Sequence, residues 1–410
     1  MNVLLFLLSI VFPVIYGAPS DSFSSSSTGV IQFETIQNFR QVESVKDLVK
    51  RSTEFNGTID LKNYLSYYTI DFKAGTPFQN VSTVLDTGSS DLWFYDKSSG
   101  HNPYFDSKSS STYFYKDSTL FISYGSGPVK GDWGTEVLQF GNAILNNSTI
   151  GLVTRDSLRG APIPGILGLG KISNEATTNK YDNVPARLKN EGHIKRNSFS
   201  IYLNSLNSGV GSILFGGVDS SRYIEPLYEI PMANESHLSV ELSSVSLKLH
   251  GETQLINNTN SRAALLDTGT SFTYLPDSAF NAIVKALGAT YNPYFGVYFV
   301  SNITEKTPSL AFNFSGAEIV VPAVEYILPV RLFTTEPTPA PYILSIFRSS
   351  EIRGLTILGA NFLRSSYTVF DVTGNKIALA QAKYDVSSTS VQQIISEIPG
   401  ATSAPAIKVF

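Results

Sequence analysis

The sequence predicts an all-β protein built from two similar lobes. Short segments rich in Val, Ile, Tyr, Phe and Thr alternate with clusters of Gly, Asn, Asp and Ser at a spacing of roughly ten residues, which is typical of strands and turns. One pair of motifs occurs twice in the same order, and this predicts a duplicated lobe. The pattern shows no strand–helix alternation of a parallel α/β fold. With 410 residues, the chain is long enough for two to three ordinary domains or for one double-lobed fold.

The composition excludes several classes of function. Hydrophobic residues make up 42% and aromatic residues 12% of the chain, so a large packed core is expected rather than disorder. The 30 Lys and Arg residues are balanced by 34 Asp and Glu residues, which leaves no basic field for nucleic acid. The chain has no Cys, its four His are widely separated, and it lacks the glycine-rich nucleotide-binding motifs. We therefore expect no metal, no cofactor and no nucleic-acid partner.

Residues 1–18 have the pattern of a secretory signal peptide. Val3 to Tyr16 is an uncharged apolar run, and the small residues Gly17 and Ala18 follow it. The run is shorter than the ~20 apolar residues that a membrane helix needs. A buried N-terminal strand or helix is the alternative. The signal predicts a secreted protein that is extracellular or lies in the cell wall or periplasmic space.

Asn-x-Ser/Thr sequons agree with secretion, because they are the acceptor sites of N-glycosylation. A single sequon carries little weight, since short motifs recur by chance, but several together with a signal peptide predict a glycoprotein. No apolar tail follows the body of the sequence, so we expect no membrane anchor. The sequons begin at Asn56, Asn80, Asn146, Asn147, Asn234, Asn257, Asn302 and Asn313.

A segment with the features of a propeptide follows the signal. A Ser-rich stretch from Ser20 to Thr28 leads into an amphipathic stretch from Val30 to Val49, which ends at the dibasic pair Lys50-Arg51. Such a pair, between a weakly structured segment and a dense core, suits a processing protease; a solvated charge pair is the alternative. We expect a propeptide at residues 19–51 and a mature chain that begins at or near Ser52.

The body of the sequence is predicted to be mainly strand. The clearest helix runs from Asp277 to Leu287, with Asp277 as its N-cap and Gly288 at its end. Residues 386–410 are rich in Ser, Thr and Ala and are expected to form a surface tail. The strand candidates are Tyr64–Phe72, Val81–Leu85, Ser198–Leu203, Ser212–Phe215, Ser239–Leu249 and Tyr367–Phe370.

The most informative feature is an internal duplication. Val84-Leu85-Asp86-Thr87-Gly88-Ser89-Ser90 is repeated as Leu265-Leu266-Asp267-Thr268-Gly269-Thr270-Ser271. Gly165-Ile166-Leu167-Gly168 is repeated, in the same order, as Thr356-Ile357-Leu358-Gly359. One Asp-Thr-Gly occurs readily by chance, but two copies that each follow an apolar strand are hard to obtain by accident. The two Asp residues lie 181 positions apart, which leaves room for one lobe between them.

Two such aspartates are suited to acid–base catalysis. An Asp at the end of an apolar strand is held rigidly, and the glycine of the following turn lets another backbone approach closely. If the lobes bring Asp86 and Asp267 together, like charges prevent both from ionising and the pair shares a proton. One carboxylate then activates a water while its protonated partner polarises a carbonyl. Ser89 and Thr270 are placed to donate to the two carboxyls. The alternative is an Asx-turn, in which each Asp only satisfies local backbone.

With these motifs the chain resembles the pepsin-like aspartic proteases from Tyr64 to Tyr384. The first motif reads Asp-Thr-Gly-Ser-Ser-Asp-Leu-Trp from Asp86 to Trp93, as in fungal members, and the second spans Asp267 to Ser271. The stretch from Leu358 to Asp371 is also similar to the family. The resemblance implies a bilobal β-fold with an extended cleft and endopeptidase activity at acid pH on protein or peptide substrates. It also implies an inhibitory propeptide that is removed on maturation.

The resemblance assigns roles to residues of both motifs. Asp86 and Asp267 would be the catalytic dyad, carried by an N-terminal lobe at 52–226 and a C-terminal lobe at 227–385. The protein is expected to be a monomer without a cofactor. The residues implied to bind substrate beside the dyad are Gly88, Gly269 and Thr270, with Ser89 and Trp93 in support.

A glycine-flanked hairpin is the candidate lid of the cleft. Phe121-Ile122-Ser123-Tyr124-Gly125-Ser126-Gly127 leads into Val129-Lys130-Gly131, which is typical of a hairpin with glycines at its tip. By resemblance it is the mobile flap, in which Tyr124 covers the cleft and its hydroxyl bonds the Trp93 indole. Gly125 and Ser126 would then contact substrate. An ordinary surface hairpin is the alternative.

The resemblance also predicts the pocket beside the scissile bond. Val84, Tyr124, Ile163 and Ile166 would line it, and all four present apolar or aromatic surface. Burying a Leu or Phe side chain there is worth roughly 1.5–3 kcal/mol. Ser126 stands where relatives that accept Lys often have a carboxylate, so a lysine would be desolvated without a partner. We therefore expect Phe, Leu or Tyr on the amino side of the cut.

Three other functions remain open at this point. Asp156 or Asp182 could reach the pocket, which would favour a processing protease for basic sites. A catalytically inactive pepsin-like binding protein is the second, although both aspartates and Tyr124 are retained. A cell-wall structural or adhesion glycoprotein is the third, but it would need tandem repeats or a surface anchor, and the sequence shows neither.

Overall fold

The computed structural model of the chain is predominantly β-sheet, and it confirms the predicted all-β class and the bilobal architecture. The signal peptide, the dibasic pair Lys50-Arg51 and the sequon at Asn56 fall outside the described residues, as does the side chain of Asn257. The described residues are 29–38, 67–159, 163–208, 210–334 and 337–405.

The first half of the chain folds into mainly antiparallel strands around an aromatic core. Alternating strand residues turn one face inward, where Phe72 and Phe140 stack with ring centroids 4.5 Å apart and Phe94 meets Phe72 edge-on. The described strands are β1 (Ile31–Asn38), β2 (Tyr67–Ala74), β3 (Gln79–Asp86), β4 (Leu92–Tyr95), β5 (Phe114–Tyr124), β6 (Gly127–Phe140), β7 (Ala143–Asp156), β8 (Gly165–Gly168), β9 (Ser198–Tyr202), β10 (Val210–Phe215) and β11 (Gly217–Asp219), and helix α1 (Val184–Asn190) lies between β8 and β9. Strands β3 and β8 form a parallel pair, as do β4 and β7.

The second half repeats the plan, and its buried core is continuous with that of the first half. Its helix α2 (Asp277–Leu287) presents the buried side chains of Ala279, Phe280 and Ile283 to this core. Two single-turn helices, α3 (Ala323–Tyr326) and α4 (Ala360–Leu363), follow. The strands are β12 (Tyr223–Pro231), β13 (Ser239–Leu249), β14 (Glu252–Leu266), β15 (Thr273–Leu275), β16 (Thr290–Asn292), β17 (Val297–Val300), β18 (Ser309–Phe314), β19 (Ala317–Val321), β20 (Ile327–Pro329), β21 (Tyr342–Leu344), β22 (Ile346–Arg348), β23 (Thr356–Leu358), β24 (Ser366–Asp371), β25 (Lys376–Ala382), β26 (Val391–Gln393) and β27 (Ala401–Ser403).

One large sheet joins the two halves of the chain. Its 14 strands run in the order β27-β12-β25-β24-β9-β10-β1-β2-β3-β8-β4-β7-β6-β5. The junction is the antiparallel pairing of β24 with β9, in which Phe370 lies opposite Phe199. The second half adds a seven-stranded sheet, β19-β18-β13-β14-β23-β15-β22, and a four-stranded sheet, β16-β17-β21-β20. The two motif-bearing strand pairs, β3–β8 and β14–β23, therefore belong to different sheets that meet at the lobe junction.

The predicted helix has the predicted bounds, but its cap differs. Asp277 is the first helical residue and Pro276 holds the N-cap position without a side-chain bond. The Asp277 carboxylate instead accepts hydrogen bonds from the hydroxyl of Ser350 at 2.9 Å and from its backbone N–H at 3.4 Å. The tertiary partner thus replaces the local cap. Gly288 ends the helix in the left-handed conformation, as expected.

The segment after Val386 is not a surface tail over its described part. Strand β26 pairs with β11, and β27 pairs in parallel with β12. Ile394 is 0% exposed and Ile398 is 4% exposed, and both pack in the cluster of Tyr223 and Tyr367. The surface-tail prediction is wrong for these residues, because one face of the central sheet is apolar and provides a site for two isoleucines that the Ser- and Thr-rich context concealed.

Part of the predicted propeptide is a full member of the central sheet. Strand β1 lies between β10 and β2 and pairs with both. Phe33 is 4% exposed, and its ring packs edge-on against Phe140 and Phe215. The sequence predicted that this segment is weakly structured, and that prediction is wrong for residues 29–38. Release of a chain ending at Arg51 would remove β1 from between its two neighbours.

Candidate active site

Each Asp-Thr-Gly motif begins where an apolar strand meets a second strand of the same lobe. Strand β3 pairs in parallel with β8, so that Asp86 lies opposite Gly168. Strand β14 pairs in parallel with β23, with Leu266 opposite Leu358, and the backbone N–H of Asp267 donates to the Leu358 carbonyl at 3.1 Å. The duplicated apolar-apolar-Gly segments thus support the two aspartates in equivalent ways.

The two carboxyl groups have matching hydrogen-bond partners. In the first motif, the N–H of Gly88 donates to Asp86 Oδ1 at 2.8 Å and the hydroxyl of Ser89 donates to Oδ2 at 2.5 Å. In the second motif, the equivalent donors belong to Gly269, at 2.9 Å, and Thr270, at 2.6 Å. These donors fix the orientation of both carboxyls, as expected for Ser89 and Thr270.

The two carboxyls face each other across the lobe junction. A side chain at Gly88 would collide with the Asp267 carboxyl, and a side chain at Gly269 would collide with that of Asp86. Glycine is therefore required at both positions because the carboxyl of the opposite motif approaches so closely. This requirement is distinct from the substrate contact that the resemblance implied for the two glycines.

Burial shifts the titration of this pair. Asp86 is 6% exposed and Asp267 is 7% exposed. Burial raises the pKa of both carboxyls, and the neighbouring charge of Asp267 raises that of Asp86 further. A pair of this kind retains one proton at acid pH, so one member can act as a base and the other as an acid.

Thr87 and Thr268 connect the two motifs directly, and the sequence reasoning missed their role. The backbone N–H of each donates to the hydroxyl of the other, at 3.1 and 3.0 Å. Each hydroxyl donates in turn to a carbonyl in the opposite lobe, of Leu266 or Leu85. The signal was available, because Thr occupies the same position in both copies of the duplicated motif.

The flap lies over the first lobe and is held by a tryptophan. The flap consists of residues 121–131, at the tip of the β5–β6 hairpin. The indole N–H of Trp93 donates to the hydroxyl of Tyr124 at 2.8 Å, as expected from the sequence. Ser126 lies in the turn, and a side chain at Gly125 would meet nothing within 4 Å among the described residues. Open space therefore adjoins the flap at Gly125.

The four residues predicted to line a pocket belong to one apolar cluster. Val84 and Ile166 are opposite each other on β3 and β8 and are buried, whereas Tyr124 and Ile163 are partly exposed at the edge of the cluster. Leu158 also packs there, a residue that the sequence did not single out. Val84 and Ile166 are therefore covered by the cluster, and Tyr124 and Ile163 keep part of their surface accessible.

Asp156 and Asp182, the two candidates for binding a basic substrate residue, accept hydrogen bonds from other groups. Asp156 accepts hydrogen bonds from Tyr95 and from the backbone of Leu158, and Asp182 accepts one from the side chain of Asn190. Among the described residues, no three His, Asp or Glu side chains converge in a way that could hold a metal ion. Asp156 and Asp182 therefore both have partners within the fold.

Two more buried carboxyls lie next to the first motif. Asp91 is 2% exposed and accepts hydrogen bonds from the Tyr181 hydroxyl at 2.7 Å and the Ala176 N–H at 2.9 Å. Glu175 is 5% exposed; one of its oxygens accepts the Tyr181 N–H at 3.0 Å, and the other has no partner among the described residues. Burial raises the pKa of Glu175 to about 8. Neither residue stood out in the sequence, because each gains its environment from the fold.

Comparison with known proteins agrees with this geometry. The family model of the eukaryotic aspartyl protease matches residues 67–382. Yapsin-3 of Saccharomyces cerevisiae is 32% identical over 88% of this chain and 74% of its own, and candidapepsin-3 of Candida albicans is 32% identical over 94% and 98%. The crystal structure of the aspartic proteinase from Irpex lacteus superposes with a TM-score of 0.66 at 25% identity, covering 79% of this chain and 96% of that one. A duplicated Asp-Thr-Gly motif, a flap and these matches together show that the chain belongs to the eukaryotic aspartyl proteases and is an aspartic endopeptidase.

Proposed function

We propose that Asp86 and Asp267 are the catalytic pair and hydrolyse peptide bonds with one shared proton. The observation that supports this most strongly is their mutual approach, with glycine required beside each carboxyl. The ionised carboxyl takes a proton from a water molecule as the water oxygen bonds to the substrate carbonyl carbon, and the protonated carboxyl donates to the carbonyl oxygen. The carboxyl that took the water proton then donates it to the amide nitrogen, while the other carboxyl recovers a proton from a hydroxyl of the diol intermediate. The C–N bond then breaks, and a carboxylic acid and an amine are released.

The flap is proposed to close over the bound peptide. Tyr124 is held by Trp93 at the edge of the apolar cluster, and Gly125 and Ser126 offer backbone groups beside it. Closure excludes water from the carboxyl pair and orients the scissile bond, which contributes to rate through positioning. Beside the dyad, Gly88, Gly269 and Thr270 are proposed to contact the substrate backbone.

Apolar residues are the proposed preference at the cleavage site. Val84, Tyr124, Ile163 and Ile166, the proposed lining of the pocket, belong to one apolar cluster, and Ser126 offers no charge. A lysine buried there would lose hydration without gaining a partner, because Asp156 is already bound to other groups. We therefore propose Phe, Leu or Tyr on the amino side of the cut rather than a basic residue.

The protein is proposed to be secreted, or to reside at the cell surface, as a glycosylated monomer. Within the described parts of the chain, no helix has the length and apolar character needed to cross a membrane. Asn80, Asn146, Asn147 and Asn302 are exposed and so are compatible with glycans, while Asn313 is half-buried. Maturation is proposed to occur after Arg51, which N-terminal sequencing of the secreted protein would detect as a chain that begins at Ser52.

Cleavage of a peptide library tests the proposed specificity and the acid mechanism together. The purified mature protein should cleave at acid pH, lose activity as pH approaches neutrality, and be inhibited by pepstatin. Phe, Leu and Tyr should dominate on the amino side of the cut. A dominant Lys or Arg there would overturn the apolar assignment, and a rate maximum above neutral pH would overturn the shared-proton mechanism.

A further inference from the structure

The tip of the flap rests on a neighbouring segment of the chain. This segment, Asp156–Arg159, begins at the last residue of strand β7. The backbone N–H of Ser157 donates to the carbonyl of Pro128 at 2.9 Å, and the N–H of Arg159 donates to the carbonyl of Ser126 at 2.8 Å. Two backbone hydrogen bonds therefore connect it to the residues that close the hairpin.

The fit between this segment and the hairpin is close. Gly127 has a φ of 139°, and a side chain there would collide with the carbonyl of Ser157. Val129 of the flap lies opposite Asp156 in the β6–β7 ladder. A shift of Asp156–Arg159 would therefore displace the flap directly, because no side chain lies between the two backbones at Gly127.

The carboxylate of Asp156 fixes the segment to the body of the lobe. Its Oδ1 accepts the N–H of Leu158 at 3.0 Å, which shapes the turn after β7. Its Oδ2 accepts the hydroxyl of Tyr95 at 3.2 Å and lies 3.0 Å from Nε2 of His101. The His101 ring stacks on the Tyr95 ring with centroids 3.9 Å apart. One carboxylate therefore has three partners on two different parts of the lobe.

Both attachments of the flap lead to the same short strand, β4. Trp93 on β4 donates to the flap tyrosine, Tyr124, at 2.8 Å. Tyr95, two residues later, donates to Asp156, whose segment binds the flap tip. Tyr95 is 2% exposed, and burial raises its pKa, so it retains the proton that it donates. Since β4 follows directly from the first Asp-Thr-Gly motif, this strand connects the position of the flap to that of Asp86.

We propose that Asp156, together with Tyr95 and His101, is a positioning residue that sets the resting place of the flap tip. It acts on substrate binding through Ser157 and Arg159, and it takes no part in the chemistry of the carboxyl pair. The proposal rests on the proposed function, because a flap position has a kinetic consequence only if the flap closes over substrate. It also makes a structural prediction about two backbone amides that is independent of activity.

The test compares Asp156→Ala with Asp182→Ala in the full enzyme. Asp182 is a matched control, because it is also an aspartate of the first lobe and accepts one side-chain hydrogen bond from Asn190. Asp156→Ala should lower kcat/KM about tenfold, mainly through a higher KM, as expected for loss of a hydrogen bond to a charged group. Amide hydrogen exchange should accelerate at Ser157 and Arg159 and remain unchanged at Gly168. Asp182→Ala should change none of these, and Asp156→Asn should restore part of the loss.

Tyr95→Phe covers the case in which Asp156→Ala does not fold, because it removes one hydroxyl and retains the ring. It should produce a smaller change of the same kind at the same two amides. Wild-type KM and wild-type exchange in both Asp156→Ala and Tyr95→Phe would overturn the proposal. A lower kcat with an altered pH profile would also overturn it, because Asp156 would then belong to the chemistry. Failure of the wild-type protein to cleave any substrate would refute the proposed function instead, and the exchange data would still decide the role of Asp156.

Discussion

The hydroxyl of Thr87 accepts the backbone N–H of Thr268 at 3.0 Å, while the hydroxyl of Thr268 accepts the N–H of Thr87 at 3.1 Å. Each hydroxyl also donates to a carbonyl in the opposite motif, Thr87 to Leu266 at 2.6 Å and Thr268 to Leu85 at 2.7 Å. The two residues directly follow Asp86 and Asp267. The four hydrogen bonds therefore fix the relative position of the two aspartates across the lobe junction.

Replacing either threonine by valine should reduce both stability and activity. Val has nearly the same shape as Thr but leaves a buried N–H and a buried carbonyl without partners, which costs ~1–3 kcal/mol of unfolding free energy. We expect kcat to fall more than KM rises, because the spacing of the carboxyls changes while the pocket is intact. Chemical denaturation and steady-state kinetics measure both. Thr178→Val, on an exposed loop position, is the control and should behave as wild type; equal behaviour of Thr87→Val would contradict the bridging role.

Stability should decrease as pH rises, and Glu175 should cause part of that decrease. Burial raises its pKa from an ordinary value of 4.5 to about 8. Between these values the folded protein retains a proton that the unfolded chain has lost, so the free energy of unfolding falls with increasing pH. Glu175→Gln cannot ionise and should show a smaller fall in Tm between pH 4.5 and 8. The remaining fall belongs to other groups such as the carboxyl pair, whose pKa values are also raised by burial. Glu305→Gln, at an exposed position, should follow the wild-type curve, and an identical curve for Glu175→Gln would refute the assignment.

Two adjacent isoleucines test the packing of the C-terminal segment. Ile394 is 0% exposed and Ile395 is 64% exposed. Truncation of a buried Ile to Ala costs about 2–5 kcal/mol, because the lost contacts leave a cavity. Ile394→Ala should therefore lower the unfolding free energy by that amount, whereas Ile395→Ala should change it by about 0.5 kcal/mol or less. Similar effects of the two substitutions, measured by denaturant unfolding, would show that the segment does not pack as described.

The precursor should depend on strand β1 for its stability. Phe33 is 4% exposed and packs against Phe140 and Phe215. Phe33→Ala in the uncleaved precursor should cost about 3–5 kcal/mol of unfolding free energy. Glu34→Ala, on the exposed face of the same strand, should have little effect. A precursor that tolerates Phe33→Ala as well as Glu34→Ala would contradict the placement of β1 in the sheet.

Local sequence patterns were sufficient to predict the all-β class, six strand candidates, the bounds of the helix Asp277–Leu287 and the approach of Asp86 to Asp267. Asp86 and Asp267 could be found because their surroundings are repeated in the sequence, and a repeat distinguishes a site from a chance tripeptide. The contact of Trp93 with Tyr124 was predicted through resemblance, and the hydrogen bond is present. These features depend on residues close in sequence or on a duplicated motif.

Features that depend on distant partners could not be predicted in this way. The predicted N-cap role of Asp277 was wrong because its carboxylate accepts a hydrogen bond from Ser350, which lies 73 residues away in the sequence. The burial of Ile394 depends on the apolar face of a sheet that is assembled from both halves of the chain. The carboxyl of Asp156 looked available to a substrate lysine until the fold brought Tyr95 and His101 to it. In each case the docking of remote segments, rather than local propensity, determined the outcome.

Cleavage of a denatured protein at acid pH by the Asp86→Asn and Asp267→Asn variants tests the central claim most directly. Asn preserves the shape of the side chain but cannot ionise, so each variant should retain the fold, judged by circular dichroism, and lose turnover. The Asp182→Asn variant, which changes an aspartate outside the site, should cleave like the wild-type protein. A folded Asp267→Asn enzyme with near-normal activity would contradict the assignment of the pair.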